Sequence, residues 1–240
     1  MIYEFNYSVN YRDVDVSRFL RLDSLVSLLQ ESAILHSEFV GFDVDYMERY
    51  NVGWVLNKFA ISIYEYPFLR ENITIKTWSR GLKSFRAFRD YEVFKGGKMI
   101  AHATSYWFFV DTKRKRVVKV PDDVQKMYGY HDITTGVQIN DTEPHLIDDV
   151  YFEKHQVIRY SDIDSNGHLN NVVYLNMLQD TLVANGLERK IREYYISFKK
   201  EISYEMGELS VSVLKADENR FFFTFIKDEE IYSEGVVSLF

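Results

Sequence analysis

The chain has 240 residues, 46% hydrophobic and 27% charged, which is enough apolar material for one large domain or two small ones. Its net charge of −7 gives an overall field that opposes nucleic acid and acidic proteins, so an acidic partner has to dock on a local basic patch. No stretch approaches the roughly 20 apolar residues that span a bilayer, and zero cysteine leaves neither a disulfide nor a thiol nucleophile.

Aromatic residues make up 16% of the chain against 3 prolines, a bias that favours pleated, half-buried strands. The first residues, MIYEFNYSVNYRDVD, carry acids early and match neither a signal peptide nor a transit peptide, so the cytoplasm is the expected compartment. The first strong element follows in residues 11–32, YRDVDVSRFLRLDSLVSLLQES. Leu22, Leu25, Leu28, Leu29 and Ser32 share one stripe at three- and four-residue spacing, which predicts an amphipathic helix. Residues 53–66, 72–80, 84–94 and 98–111 then alternate with period two and read as strands. Lys95-Gly96-Gly97-Lys98 is the expected hairpin turn between the last two.

Lys113-Arg114-Lys115-Arg116 with Lys119 is the densest basic run. It reads either as a solvated hairpin edge whose charges deter edge pairing, or as a dock for an acidic protein. Pro121 to about Asp149, rich in Asp, Thr and Gly, reads as a connection.

The pattern then repeats. Residues 160–181, YSDIDSNGHLNNVVYLNMLQDT, align with residues 11–32 without a gap at an offset of 149. Tyr11, Asp13, Asp15, Leu20 and Gln30 meet Tyr160, Asp162, Asp164, Leu169 and Gln179. Leu169, Val172, Val173, Leu175 and Leu178 form the apolar run of a second helix, with Asn170 or Asp164 as its cap. Residues 194–205, 208–217, 220–227 and 230–240 supply strands in the same order, with Lys227-Asp228-Glu229 near the last turn. The expected fold is therefore α+β, two copies of one helix-plus-antiparallel-sheet unit.

This repeat resembles the hotdog fold, and the sequence is similar to the acyl-acyl carrier protein thioesterase family over nearly the whole chain. The specific match is DIDSNGHLNNVVYLNMLQD at 162–180, with ISFKKEI at 196–202. In the first copy WVLNKFAISIYEYP (54–67), IKTWSRG (75–81) and IAHATSYWFFVDTKRKRVVKVPDDV (100–124) match as well. The resemblance implies a tandem hotdog, two long helices each wrapped by an antiparallel sheet. Residues 1–135 would hold the acyl chain, 136–150 would link, and 151–240 would carry the chemistry. It places the catalytic Asp, Asn and His on Asp164, Asn166 and His168, and the catalytic Glu on Glu201, in the strand after the helix. Plant members often carry Cys after that Glu; here it is Ile202, so a thiol cannot be essential.

The resemblance further implies hydrolysis of a fatty acyl-acyl carrier protein thioester in fatty acid biosynthesis, with no metal or organic cofactor, by a monomer or homodimer. An acyl-CoA thioesterase and a non-catalytic acyl-thioester-binding module are the alternatives on the same scaffold.

These residues suit the chemistry. Thioester hydrolysis needs a nucleophile, proton management and donors for the carbonyl oxyanion. Asp164, Asn166 and His168 alternate just before a helix, so an extended approach would turn them to one side, beside the free N–H groups of the helix start. Either Glu201 activates water while Asp164 orients the site, or Asp164 attacks the carbonyl and a mixed anhydride is hydrolysed; family analogy leans to the second. The first copy has Ser17 and Phe19 where the second has Asn166 and His168. Aligning Phe59 with Phe198 puts Ser62 opposite Glu201.

Other readings are weaker. Asp162-x-Asp164-x-Asn166-Gly167 imitates an EF-hand start, but Val173 stands where the loop needs its closing Glu. Asp162 and Asn170 suit turn and capping roles. His36, His102, His131, His145 and His155 lack metal-ligand spacing, and no phosphate-binding or serine-elbow motif is present. Arg189, Lys190, Arg192, Lys199 and Lys200 flank the proposed site and compete with the first basic run as a dock.

Overall fold

A computed structural model describes residues 1–137 and 150–240. The chain forms two compact units, Met1–Gln138 and Ile139–Phe240. From 138 to 149 the expected linker lies outside the described residues, as does His145.

The first unit runs β1 (Tyr3–Ser8), α1 (Leu22–Phe39), α2 (Val44–Tyr50), β2 (Val52–Ile63), β3 (Asn72–Lys83), β4 (Arg86–Lys95), β5 (Lys98–Asp111), β6 (Arg116–Val117) and α3 (Asp122–Tyr128). Its antiparallel sheet has the order β1-β3-β4-β5-β2, with β6 paired to the end of β5. The turn between β4 and β5 is Gly96-Gly97, as its sequence requires. Helix α1 buries Leu22, Leu25, Val26, Leu29, Ser32, Ala33 and His36, while Leu28, expected on that stripe, is only partly buried.

Residues 121–137 are not the plain connection that their composition suggested. Val124 and Tyr128 of α3 join Phe42, Phe109 and Val120 in a core cluster. The segment after α3 is strapped to the sheet. His131 N–H donates to the Ser79 carbonyl at 3.2 Å, and the Trp78 indole donates to the Ile133 carbonyl at 2.9 Å. Thr135 N–H donates at 3.0 Å to Asp90, a fully buried carboxylate also held by Thr104 at 2.6 Å and Arg80 at 3.3 Å. Two apolar anchors and one buried acid fixed these residues where Asp, Thr and Gly content signalled a loop.

The second unit runs β7 (Phe152–Val157), α4 (Asn171–Ala184), β8 (Ile191–Phe198), β9 (Glu208–Lys215), β10 (Arg220–Lys227) and β11 (Glu230–Leu239). Its antiparallel sheet has the order β8-β11-β10-β9-β7. Helix α4 lays Tyr174 against Phe198 and Phe225, with ring centroids 5.1 and 5.0 Å apart. Val173 is only partly buried; Tyr174, Met177, Thr181 and Leu182 complete the buried face. Gly235 in β11 leaves the space that the Phe223 ring fills, since a Cβ there would strike that ring and the Tyr195 carbonyl oxygen.

Candidate active site

The segment before α4 is a tight turn rather than the extended approach that alternation suggested. Asp162 ends a 3-10 turn (Tyr160–Asp162), and its carboxylate accepts Arg159 N–H at 2.8 Å. Ile163 bridges Leu169, and Asp164 N–H donates to the His168 carbonyl at 2.8 Å. Between them the chain reverses at Asp164-Ser165-Asn166-Gly167, where Gly167 N–H donates to the Asp164 carbonyl at 3.0 Å. Gly167 takes φ +82°, the left-handed conformation that glycine adopts without strain.

The Asp164 carboxylate organises this turn. One oxygen accepts Asn166 N–H at 2.8 Å and His168 N–H at 3.3 Å; the other accepts the Asn166 side-chain amide at 3.4 Å. A short polar side chain that satisfies its own following backbone is the reason Asp suits the position. Asn170 then caps α4, its side chain accepting Val172 N–H at 3.0 Å. The helix therefore starts three residues after His168 with that amide already occupied.

Glu201 arrives from elsewhere in the chain. It was expected within the strand after the helix, but β8 ends at Phe198 and Glu201 lies three residues beyond. There Lys199 and Lys200 N–H both donate to the Tyr232 carbonyl, at 2.9 and 3.1 Å, which turns the chain out of the ladder. The next residues are stitched to the turn: Leu169 N–H donates to the Ile202 carbonyl at 2.8 Å, and His168 bridges Ser203. This brings His168 Nε2 to 3.1 Å from Glu201 Oε2 across 33 residues of sequence. The imidazole is 30% exposed and the carboxylate 58%, so water and a substrate can reach both. Asn166 is exposed beside them.

Tyr174, which the apolar run of α4 marked only as core, is the buried neighbour of this group. Burial, then the charges of Glu201 and Asp164, push its hydroxyl well above the usual tyrosine range, so it stays protonated. Among the described residues no three His, Asp or Glu side chains lie close enough together to hold a metal ion.

The first unit repeats the frame without the chemistry. Asp15 accepts Ser17 N–H at 2.8 Å and Phe19 N–H at 3.1 Å, and Arg18 (φ +65°) occupies the place of Gly167. Leu20 N–H donates to the Pro67 carbonyl at 2.8 Å, and Phe19 bridges Phe68. This bonding pairs Pro67 with Ile202 and Phe68 with Ser203, so the residue opposite Glu201 is Tyr66, not Ser62. The double donation of Tyr64 and Glu65 N–H to the Ile100 carbonyl fixes the same offset. Matching Phe59 to Phe198 failed because β2 has 12 residues and β8 only 8. At the His168 position Phe19 packs edge-on against Phe68, the counterpart of Ser203, at 5.4 Å, and Tyr66 stands at the Glu201 position.

Residues 1–128 match the family model described as the acyl-ACP thioesterase N-terminal domain, and residues 147–231 match its C-terminal domain. The sequence is 23% identical over 221 residues to a chloroplastic palmitoyl-acyl carrier protein thioesterase of Cuphea hookeriana, covering 85% of this chain and 53% of that protein. It is 23% identical over 235 residues to a chloroplastic oleoyl-acyl carrier protein thioesterase of Coriandrum sativum, covering 90% and 64%. The chain thus spans about half to two thirds of the length of these two relatives. The fold is similar to that of an acyl-ACP thioesterase from Bacteroides thetaiotaomicron (TM-score 0.89, 23% identity, 100% of this chain and 98% of that one). It is also similar to a 12:0-ACP thioesterase from Umbellularia californica (TM-score 0.82, 16% identity, covering 99% and 96%). Each unit is accordingly a hotdog, and the α+β tandem-hotdog expectation holds.

Proposed function

The chain belongs to the acyl-acyl carrier protein thioesterase family, and on that premise we propose that it hydrolyses a fatty acyl-acyl carrier protein thioester to free fatty acid and carrier protein in fatty acid biosynthesis. The observation that carries this reading is the His168–Glu201 contact at 3.1 Å, built where the first unit has Phe19 and Tyr66.

In this proposal Glu201, 3.1 Å from Nε2, accepts the Nε2–H of His168, which fixes the tautomer and leaves Nδ1 as the proton acceptor. Water loses a proton to Nδ1 as its oxygen attacks the thioester carbonyl carbon. The exposed Asn166 amide, with one hydrogen directed at Asp164, offers its other hydrogen to the oxyanion. Collapse breaks the C–S bond, and the thiolate leaves with the proton from Nδ1.

Asp164 positions this pair. Its bonds to two backbone amides and one side-chain amide occupy both carboxylate oxygens, which supports water attack over a mixed anhydride. The two backbone bonds recur at Asp15, in a unit without the His and Glu. Residues 1–135 form the acyl-holding half in this proposal and 151–240 the catalytic half, with no cofactor, in the cytoplasm, as a monomer or homodimer.

The test is release of free acid from acyl carrier protein loaded with chains of graded length, with acyl-CoA of matched chains as a parallel arm. Faster turnover of the carrier-protein substrates is expected. Turnover of acyl-CoA alone, or of neither, overturns the proposal.

A further inference from the structure

The carrier protein is acidic as a class and this chain is acidic overall, so productive encounter needs a surface of opposite local sign. Two basic stretches compete for that role, and their surroundings differ. In the second unit the basic residues fall at the two ends of β8: residues 188–193 hold three cations and two carboxylates, and residues 199–201 with 228–234 hold two cations among five carboxylates. Lys199 is paired to Glu234 at 2.9 Å, Lys200 to Glu230 and Arg192 to Glu193, and Arg189 donates to Asn219. The end at 199–201 and 228–234 is therefore locally negative with both lysines paired, and the end at 188–193 has Arg192 and Arg189 already engaged.

The first unit is the reverse. Val120 N–H donates to the Ser84 carbonyl at 2.8 Å and Phe109 N–H to the Phe85 carbonyl at 2.9 Å, so the β3–β4 turn lies beside the strand end that carries the β5–β6 hairpin and leads into α3. Residues 83–86 and 111–126 bring eight cations against three carboxylates to this end of the sheet. Lys83, Arg86, Lys113, Lys115, Arg116, Lys119 and Lys126 are exposed and make no ion pair with described residues; only Arg114 does, with Asp111 at 3.8 Å. Beside them a cleft of about 700 Å³ is lined by Lys83, Lys126, Phe88 and Tyr130.

We infer that this basic end of the first unit is the surface that holds the acidic carrier protein, through carboxylates set against Lys83, Lys115, Arg116 and Lys126. The inference rests on the carrier-protein thioesterase reading above. The carrier brings its acyl group on a flexible arm, so the surface that grips it need not belong to the catalytic unit.

The experiment measures binding of fluorescently labelled carrier protein, bearing its phosphopantetheine arm, by anisotropy across a salt series. The full chain is compared with the Lys83→Glu/Lys115→Glu/Arg116→Glu and Lys199→Glu/Lys200→Glu variants. The first variant should bind about tenfold or more weakly with a flattened salt dependence; the second should change binding less than about twofold. Unchanged binding in the first variant, or a larger loss in the second, overturns the inference. Hydrolysis of an uncharged acyl-N-acetylcysteamine thioester is followed in parallel and should be equal in the full chain and the first variant. If the full chain cleaves no thioester yet binds the carrier through this patch, the catalytic reading fails and the docking surface stands.

Discussion

Asp164 holds a turn, and its replacements separate holding from reacting. Asn at 164 still offers an oxygen to the Asn166 and His168 backbone amides and removes the charge and the oxygen that accepts the Asn166 side-chain amide. Asp164→Asn should therefore fold normally and lose about tenfold in kcat, whereas His168→Ala and Glu201→Gln should each lose about a hundredfold or more. Steady-state rates with thermal melting as the folding control decide this. A loss in Asp164→Asn as deep as in His168→Ala would favour the nucleophile reading. At this scale the alignment of the two copies made Asn166 and His168 legible, because turn positions tolerate polar substitution and the frame around them did not change. Tyr174 was not legible, because a tyrosine in an apolar helical run looks the same whether it faces core or a pair of carboxylates.

Among the elements, β1, α2 and β7 were not expected, and β8 starts and ends earlier than expected. The two long helices and the other strands after them followed their periodicities, since burying one face of each against the other is what forms them. The segment after α3 did not, because its anchors are single long-range bonds. Asp90 is the centre of that strap, fully buried between Arg80, Thr104 and the Thr135 amide. Asp90→Ala leaves Arg80 without its acid and Thr135 N–H without an acceptor, so it should destabilise the first unit by about 3 kcal/mol. Proteolytic cleavage after His131 should also become faster. A melt and cleavage rate unchanged from the parent would show that the strap is held by Trp78 and Ser79 alone.

At the scale of the whole molecule, a pH-dependent liability among the described residues is His36, fully buried on α1. Burial, then the adjacent Arg89 charge, lowers its pKa from 6.5 to about 3. Its Nδ1 accepts Arg89 Nη1 at 2.9 Å, a bond that requires the neutral ring. The unfolded chain takes up this proton first. Stability is therefore complete above about pH 6.5 and is lost as pH falls towards 3, by roughly 2 kcal/mol at pH 5. His36→Gln keeps an acceptor for Arg89 without the titration, and its urea midpoint should fall less between pH 7 and 5 than the parent's. Equal slopes would assign the loss to carboxylates instead.

The sequence by itself determined the two-copy plan and the order of each long helix and the four strands after it, because periodicity and repetition are local patterns. Asp164, Asn166, His168 and Glu201 became candidates through the family resemblance, with Ser17 and Phe19 of the first copy marking Asn166 and His168 as the positions that differ. Only the tertiary structure decided that Glu201 leaves its strand to meet His168, that Tyr66 is its counterpart, and which basic run keeps most of its cations out of ion pairs with described residues. Those depend on backbone bonds between segments tens of residues apart, and on charges brought together by folding, which no local spacing encodes.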